Sequence, residues 1–177
     1  MALPSAKLSV FVGKDFACVK VAGRANFTFS PDFKTLLAEL AGKGYGHFII
    51  DLSDCVLMDS TFLGVLAGFG LQMSENARRS ASGNGRIELS NPNPRVTELL
   101  ENLGVLPLFK ILEGPPQLPA DGSVCTPAPV NASREVIMRT SLEAHQTLMA
   151  VHPDNVPRFK DVAQFLAEDL KNLKKCS

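Results

Sequence analysis

The segment His47–Leu52, HFIIDL, constrains the fold more than any other. Phe48, Ile49 and Ile50 form a short apolar run suited to a strand buried on at least one face. The chain before it reads as a helix. Ser30 is expected as N-cap, Pro31 as the first helical residue and Asp32 as the acidic residue of the first turn. Phe33, Leu36, Leu37 and Leu40 then recur at helical spacing, until Gly42, Gly44 and Gly46 open a loop. A strand that follows a helix in this way needs a crossover, which is right-handed when the neighbouring strand is parallel.

The same alternation extends over residues 7–113. Leu8–Val12 and Phe16–Val21 read as strands joined through Gly13-Lys14-Asp15, with Gly23 ending the second. Past Asp51 a turn at Ser53-Asp54-Cys55 leads to Val56-Leu57-Met58, and a helix is expected over about 61–76. Ser82-Gly83-Asn84-Gly85 reads as a loop and Ile87-Glu88-Leu89 as a strand. A helix through Val96, Leu99, Leu100 and Leu103 is capped by Asn91 or Asn93 and ended by Gly104, and Leu106–Leu112 reads as the last strand. The order β-β-α-β-α-β-α-β defines an α/β fold, a mixed sheet with its helices mainly on one face.

After Gly114 the composition changes. Pro115, Pro116, Pro119, Pro127 and Pro129, with Gly122 and Ser123, suit neither helix nor strand. The chain therefore divides into a domain over 1–113, a Pro/Gly-rich linker over 114–131 and a two-helix C-terminal extension over 132–177. The first of those helices runs from Ser133 to about Val151. The second carries an apolar stripe of Phe159, Val162, Phe165, Leu166, Leu170 and Leu173. Docking of this extension back onto the domain is expected, because a short linker keeps its effective concentration high.

Composition narrows the function. Eighteen basic residues balance eighteen acidic ones, and one Tyr with no Trp offers little for base stacking, so a nucleic-acid binder is not expected. No apolar run is long enough to span a bilayer and no signal-peptide pattern opens the chain, so membrane insertion is not expected either. Cys18, Cys55, Cys125 and Cys176 form no CxxC pair and read as free thiols of a cytoplasmic protein. No metal or cofactor motif is present. An enzyme is not expected, since Ser60 lacks a nucleophile elbow and His47 lies at the far end of its strand. His145 and His152 read as surface or boundary residues.

The informative stretch runs from Ile49-Ile50-Asp51-Leu52-Ser53 to Met58-Asp59-Ser60-Thr61-Phe62-Leu63-Gly64. It delivers an acidic residue and two hydroxyls to the start of a helix, where unpaired N–H groups favour anions. Ser60 is either a helix cap or a phosphoacceptor, and the two roles are compatible. The helix that follows is apolar nearly all round. Leu63, Leu66, Ala67 and Leu71 can face the sheet, which leaves Phe62, Val65, Phe69 and Met73 as a partner surface. Gly64, Gly68 and Gly70 admit a close neighbour, which would be the C-terminal helices or another chain, as in a homodimer.

Met58-Asp59-Ser60-Thr61 with Leu63-Gly64 resembles the signature loop of STAS domains, the bacterial anti-sigma factor antagonists. The resemblance takes in Asp51-Leu52-Ser53, Gly23, the Asn91-Pro92 to Gly104 helix and the Leu108-Phe109 strand. It implies a non-catalytic regulatory module of transcription or stress signalling. Such a module binds an anti-sigma factor that is also a serine kinase, and phosphorylation of Ser60, or alternatively Thr61, ends the complex. Asp59, Asn26 and Asp51 would support the site. Two residues depart from the pattern: Phe62 stands where the family usually has Gly, and Asn26 stands near a usual acidic position. The alternative implied by the resemblance is a constitutive adaptor subunit of a transporter or stress-signalling complex, without phosphorylation.

Overall fold

A computed structural model describes residues 6–81, 85–116 and 123–176. Ser82, Gly83 and Asn84 of the expected loop, and Pro119 and Gly122 of the expected linker, lie outside them. The elements are β1 (Lys7–Val12), β2 (Phe16–Ala25), α1 (Ser30–Gly42), β3 (His47–Asp51), β4 (Cys55–Met58), α2 (Ser60–Arg79), β5 (Arg86–Ser90), α3 (Pro94–Asn102), a short 3-10 helix (Leu106–Leu108), β6 (Lys110–Leu112), β7 (Ser123–Cys125), α4 (Arg134–Val151) and α5 (Asn155–Lys175).

The strands lie in the order β6-β5-β3-β2-β1-β7, with β4 also paired to β2. β1 is antiparallel to β2 and β7, while β2-β3, β3-β5, β5-β6 and β2-β4 are parallel. The sheet is thus mixed, as expected. The expectation that Gly23 ends β2 is corrected, because the strand runs on to Ala25. At φ +81° Gly23 takes a conformation that favours glycine, and the register shifts between Gly23 and Arg24. β2 pairs with β3 as far as Lys20 and with β4 from Gly23 onward, and the bulge sets Ala25 opposite Met58. That bend puts the β4–α2 junction beside the end of β2.

The core is continuous from the sheet through α1, α2 and α3, and includes Leu148 of α4. Phe48 of β3 meets Phe69 of α2 edge to face at 4.9 Å, and Phe33 of α1 stacks on Phe62 of α2 at 4.3 Å. Phe62 is fully buried, and Phe69 and Met73 nearly so. The expected partner surface is therefore corrected for these three, because α1 and the sheet consume their side chains. Only Val65 of that set stays half-exposed.

Three other expectations change. β4 is a true strand, held on β2 by the Gly23 bend. The last strand begins only at Lys110, because Pro107 sits within the 3-10 turn that precedes it. The 114–131 segment contributes β7, whose Ser123, Val124 and Cys125 pair with Val12, Phe11 and Val10, and the Val130 N–H donates to Asp32 at 3.0 Å. Among the described residues no helix is long and apolar enough to cross a membrane.

The C-terminal helices fold back. α4 packs on α1 and α2, and α5 packs on α4. Asn155, fully buried as the first residue of α5, donates to the Leu103 and Leu148 carbonyls at 2.9 and 2.8 Å. It ties the α4–α5 turn to the end of α3. α5 keeps part of its stripe in solvent, with Phe165 69% exposed.

Candidate functional site

The site is built at the junction of β4 and α2. Asp59 has an extended backbone and its Oδ1 accepts the Phe62 N–H at 2.8 Å, so Asp59 is the helix cap. The expectation that Ser60 caps the helix is corrected: Ser60 is the first helical residue. The second oxygen of Asp59 accepts the Phe27 N–H at 2.7 Å, and the Asp59 N–H donates to the Ala25 carbonyl at 2.9 Å. One carboxylate thus joins the start of α2 to the loop after β2. Burial pushes the Asp59 carboxyl above its ordinary value, and the Phe62 and Phe27 N–H groups pull it partly back.

Asn26 lies in that same loop. Its Oδ1 accepts from the Thr28 hydroxyl at 2.6 Å and the Thr28 N–H at 3.2 Å, and its backbone carbonyl accepts the Ser30 hydroxyl. Ser30 is accordingly spent on the Asn26 carbonyl instead of capping α1, whose cap position is Phe29. Asn26 thus shapes the loop that Asp59 holds. Asp51 is buried and accepts the Ser53 N–H at 3.0 Å, which orders the turn before β4. Its carboxylate is committed to that turn, and no bond joins it to Asp59 or Ser60 among the described residues. Phe27, beside Asp59, is 49% exposed.

The Ser60 hydroxyl has a partner that local sequence rules do not reveal. Its Oγ lies 3.0 Å from Nε2 of His145, on α4, and His145 is itself buried. His145 Nδ1 lies 2.7 Å from the Ser141 carbonyl. A carbonyl only accepts, so Nδ1 carries the proton. In the neutral ring Nε2 is then an acceptor, and Ser60 donates to it. Thr61, buried, pairs its hydroxyl with that of Ser141 at 2.9 Å. The reading of His145 as a surface or boundary residue is corrected. The imidazole beside Ser60 is thus His145, not the distant His47. Chemically this is a hydroxyl polarised by an imidazole whose other nitrogen is held by a backbone carbonyl.

α4 comes this close because α2 offers small residues on that side. A side-chain carbon at Gly64 would lie 2.5 Å from the Ala144 carbonyl oxygen, and one at Gly68 would lie 3.7 Å from Thr147. Lys34 of α1 pairs with Glu143 of α4 at the edge. Beside this seam a cleft of about 560 Å³ opens between α1, α2 and α4. His47 sits elsewhere, on Glu88 at 2.9 Å. Among the described residues no group of three or more His, Cys, Asp or Glu could hold a metal ion.

The fold has relatives among known proteins. The chain belongs to the STAS domain family, which its residues 9–114 match. A candidate anti-sigma factor antagonist from Thermotoga maritima shares the fold; it is 24% identical, with 60% of this chain and 85% of that one covered and a TM-score of 0.50. An anti-sigma factor antagonist from Mycobacterium paratuberculosis is 17% identical, with 60% and 85% covered and a TM-score of 0.49. The phosphorylated form of the Bacillus cell fate determinant SpoIIAA is 17% identical, with 61% and 91% covered and a TM-score of 0.44. No curated protein matches the chain.

Proposed function

We propose that this STAS domain is a non-catalytic protein-binding switch of the anti-sigma factor antagonist kind, with Ser60 as its phosphoacceptor. The observation that carries the proposal is the position of Ser60. Asp59 takes the capping role, so the Ser60 hydroxyl stands at the first helical position without a backbone duty. A phosphate attached there sits at the positive end of α2. Thr61 is the alternative acceptor, but it is buried and already paired with Ser141. The partner is an anti-sigma factor or related serine kinase, and exposed Phe27 beside Asp59 gives it an apolar anchor. Phosphorylation adds a charge of about −1.5 to −2. In a desolvated contact next to the Asp59 carboxylate that charge opposes binding. A cytoplasmic location fits such a partner.

The test is phosphoryl transfer from labelled ATP in an extract of the cells that make the protein. The parent and Thr61→Ala are expected to take label, and Ser60→Ala is not. Label retained by Ser60→Ala overturns the assignment. One observation favours the constitutive adaptor: the Ser60 hydroxyl already has an internal partner in His145. Absence of label from all three proteins would support that reading.

A further inference from the structure

We propose that α4 is an intramolecular lid on the Ser60 face of α2, which a kinase or binding partner must displace; the proposal rests on Ser60 being the switch residue. Three observations carry it. The first is occupancy. His145 and Ser141 of α4 take the hydroxyls of Ser60 and Thr61, the two residues a partner would have to reach. The second is fit. Ala144 lies against Gly64 with no room for even one added carbon, so nothing else can rest on that part of α2 while α4 is there.

The third is the chemistry of the seam. The buried residues of α4 are Met138, Thr140, Ser141, Ala144, His145 and Leu148, half of them polar. A permanent core contact is more apolar, whereas a contact that opens and closes resembles a transient interface. Each of these polar groups can pair with water when the lid lifts. Both ends of α4 remain tethered, one through the chain that follows β7 and the other through Asn155, which holds the α4–α5 turn on Leu103. Opening is therefore a swing about the Asn155 turn, and α4 returns without being lost to solution.

The lid and a phosphate on Ser60 exclude each other. A gap of 3.0 Å between Ser60 Oγ and His145 Nε2 leaves no volume for a phosphoryl group. Neutral His145 offers a phosphate no compensating charge, since its Nδ1–H is committed to Ser141 and its Nε2 only accepts. Sterics and the lost Ser60–His145 bond therefore make phosphorylation hold the lid open.

Hydrogen exchange of the full chain, read by mass spectrometry, tests this. Ser60→Glu is expected to speed exchange of the α4 amides at least tenfold, with β2 and β3 unchanged. An acidic residue in the first helical turn favours folding of α2, so the variant keeps the domain. Ala144→Leu wedges the seam from the α4 side, without altering the STAS unit, and is expected to do the same. Unchanged α4 exchange in Ser60→Glu overturns the proposal, and so does unchanged exchange in Ala144→Leu. The parent and Ala144→Leu are then compared in the labelled-ATP extract. At least tenfold faster labelling of Ser60 in Ala144→Leu is the expected result. Equal labelling overturns the lid and leaves the phosphoacceptor reading standing. No label on either protein, with exchange as expected, overturns the phosphoacceptor reading and with it the lid's role over a kinase site.

Discussion

Phe62 gives its N–H to the Asp59 cap and turns its ring inward. It is fully buried on Phe33, so the ring is part of the core and not an anchor for a partner. Phe62→Ala should cost about 3–5 kcal/mol, measured by urea unfolding, and a loss below about 1 kcal/mol would contradict the packing. Asp59 makes a second prediction. Burial raises its carboxyl from 3.8, so the folded state binds the proton more readily than the unfolded chain. Its contribution therefore falls as pH rises through the window that starts at 3.8 and ends at the raised value. The stability of the parent minus that of Asp59→Asn should decline over that window in urea titrations, and a rise would reverse the assignment. His145 was beyond local reading. Ser141 and His145 stand four apart on one helical face, but no spacing rule links His145 to Ser60, 85 residues away.

At the scale of elements, the strand and helix order was legible because glycines and prolines mark its boundaries. Gly104 does stand at φ +68° just past the end of α3, and Asn93 does cap that helix. What escaped were β4 and β7, short strands whose pairing depends on a bend in β2 and an open edge on β1. The seam of α2 with α4 was half legible, since Gly64 and Gly68 announced a close neighbour without fixing which helix. The two glycines should answer differently to alanine. At Gly68 the added carbon meets only ordinary contacts, so helix propensity decides, and Gly68→Ala should stabilise by about 0.5–1 kcal/mol. At Gly64 it meets a backbone carbonyl at 2.5 Å, which cannot yield unless α4 moves. Overpacking of about 1–3 kcal/mol then exceeds the propensity gain. Melting temperatures should rank Gly68→Ala above parent above Gly64→Ala; the reverse order would contradict the seam.

At the scale of the whole molecule, a STAS domain is joined to a helical pair that folds back over its signature junction. The four cysteines report on that packing. Cys18 and Cys55 are buried, and burial pushes both thiols up to about 11, while Cys125 and Cys176 are exposed. A thiol reagent at neutral pH should modify Cys125 and Cys176 rapidly, and reach Cys18 and Cys55 only in denaturant. The family was legible from a short motif because a strand, a capping carboxylate and a hydroxyl must follow one another closely to build such a junction. The lid was not legible, because its seam is made by residues far apart in the chain. The central claim concerns a single hydroxyl, and site-resolved phosphopeptide mass spectrometry on protein isolated from its own cells tests it most directly. Phosphate is expected on Ser60 at an occupancy that differs between growth and stress. Its absence from Ser60 under both conditions would contradict the switch and leave a constitutive adaptor.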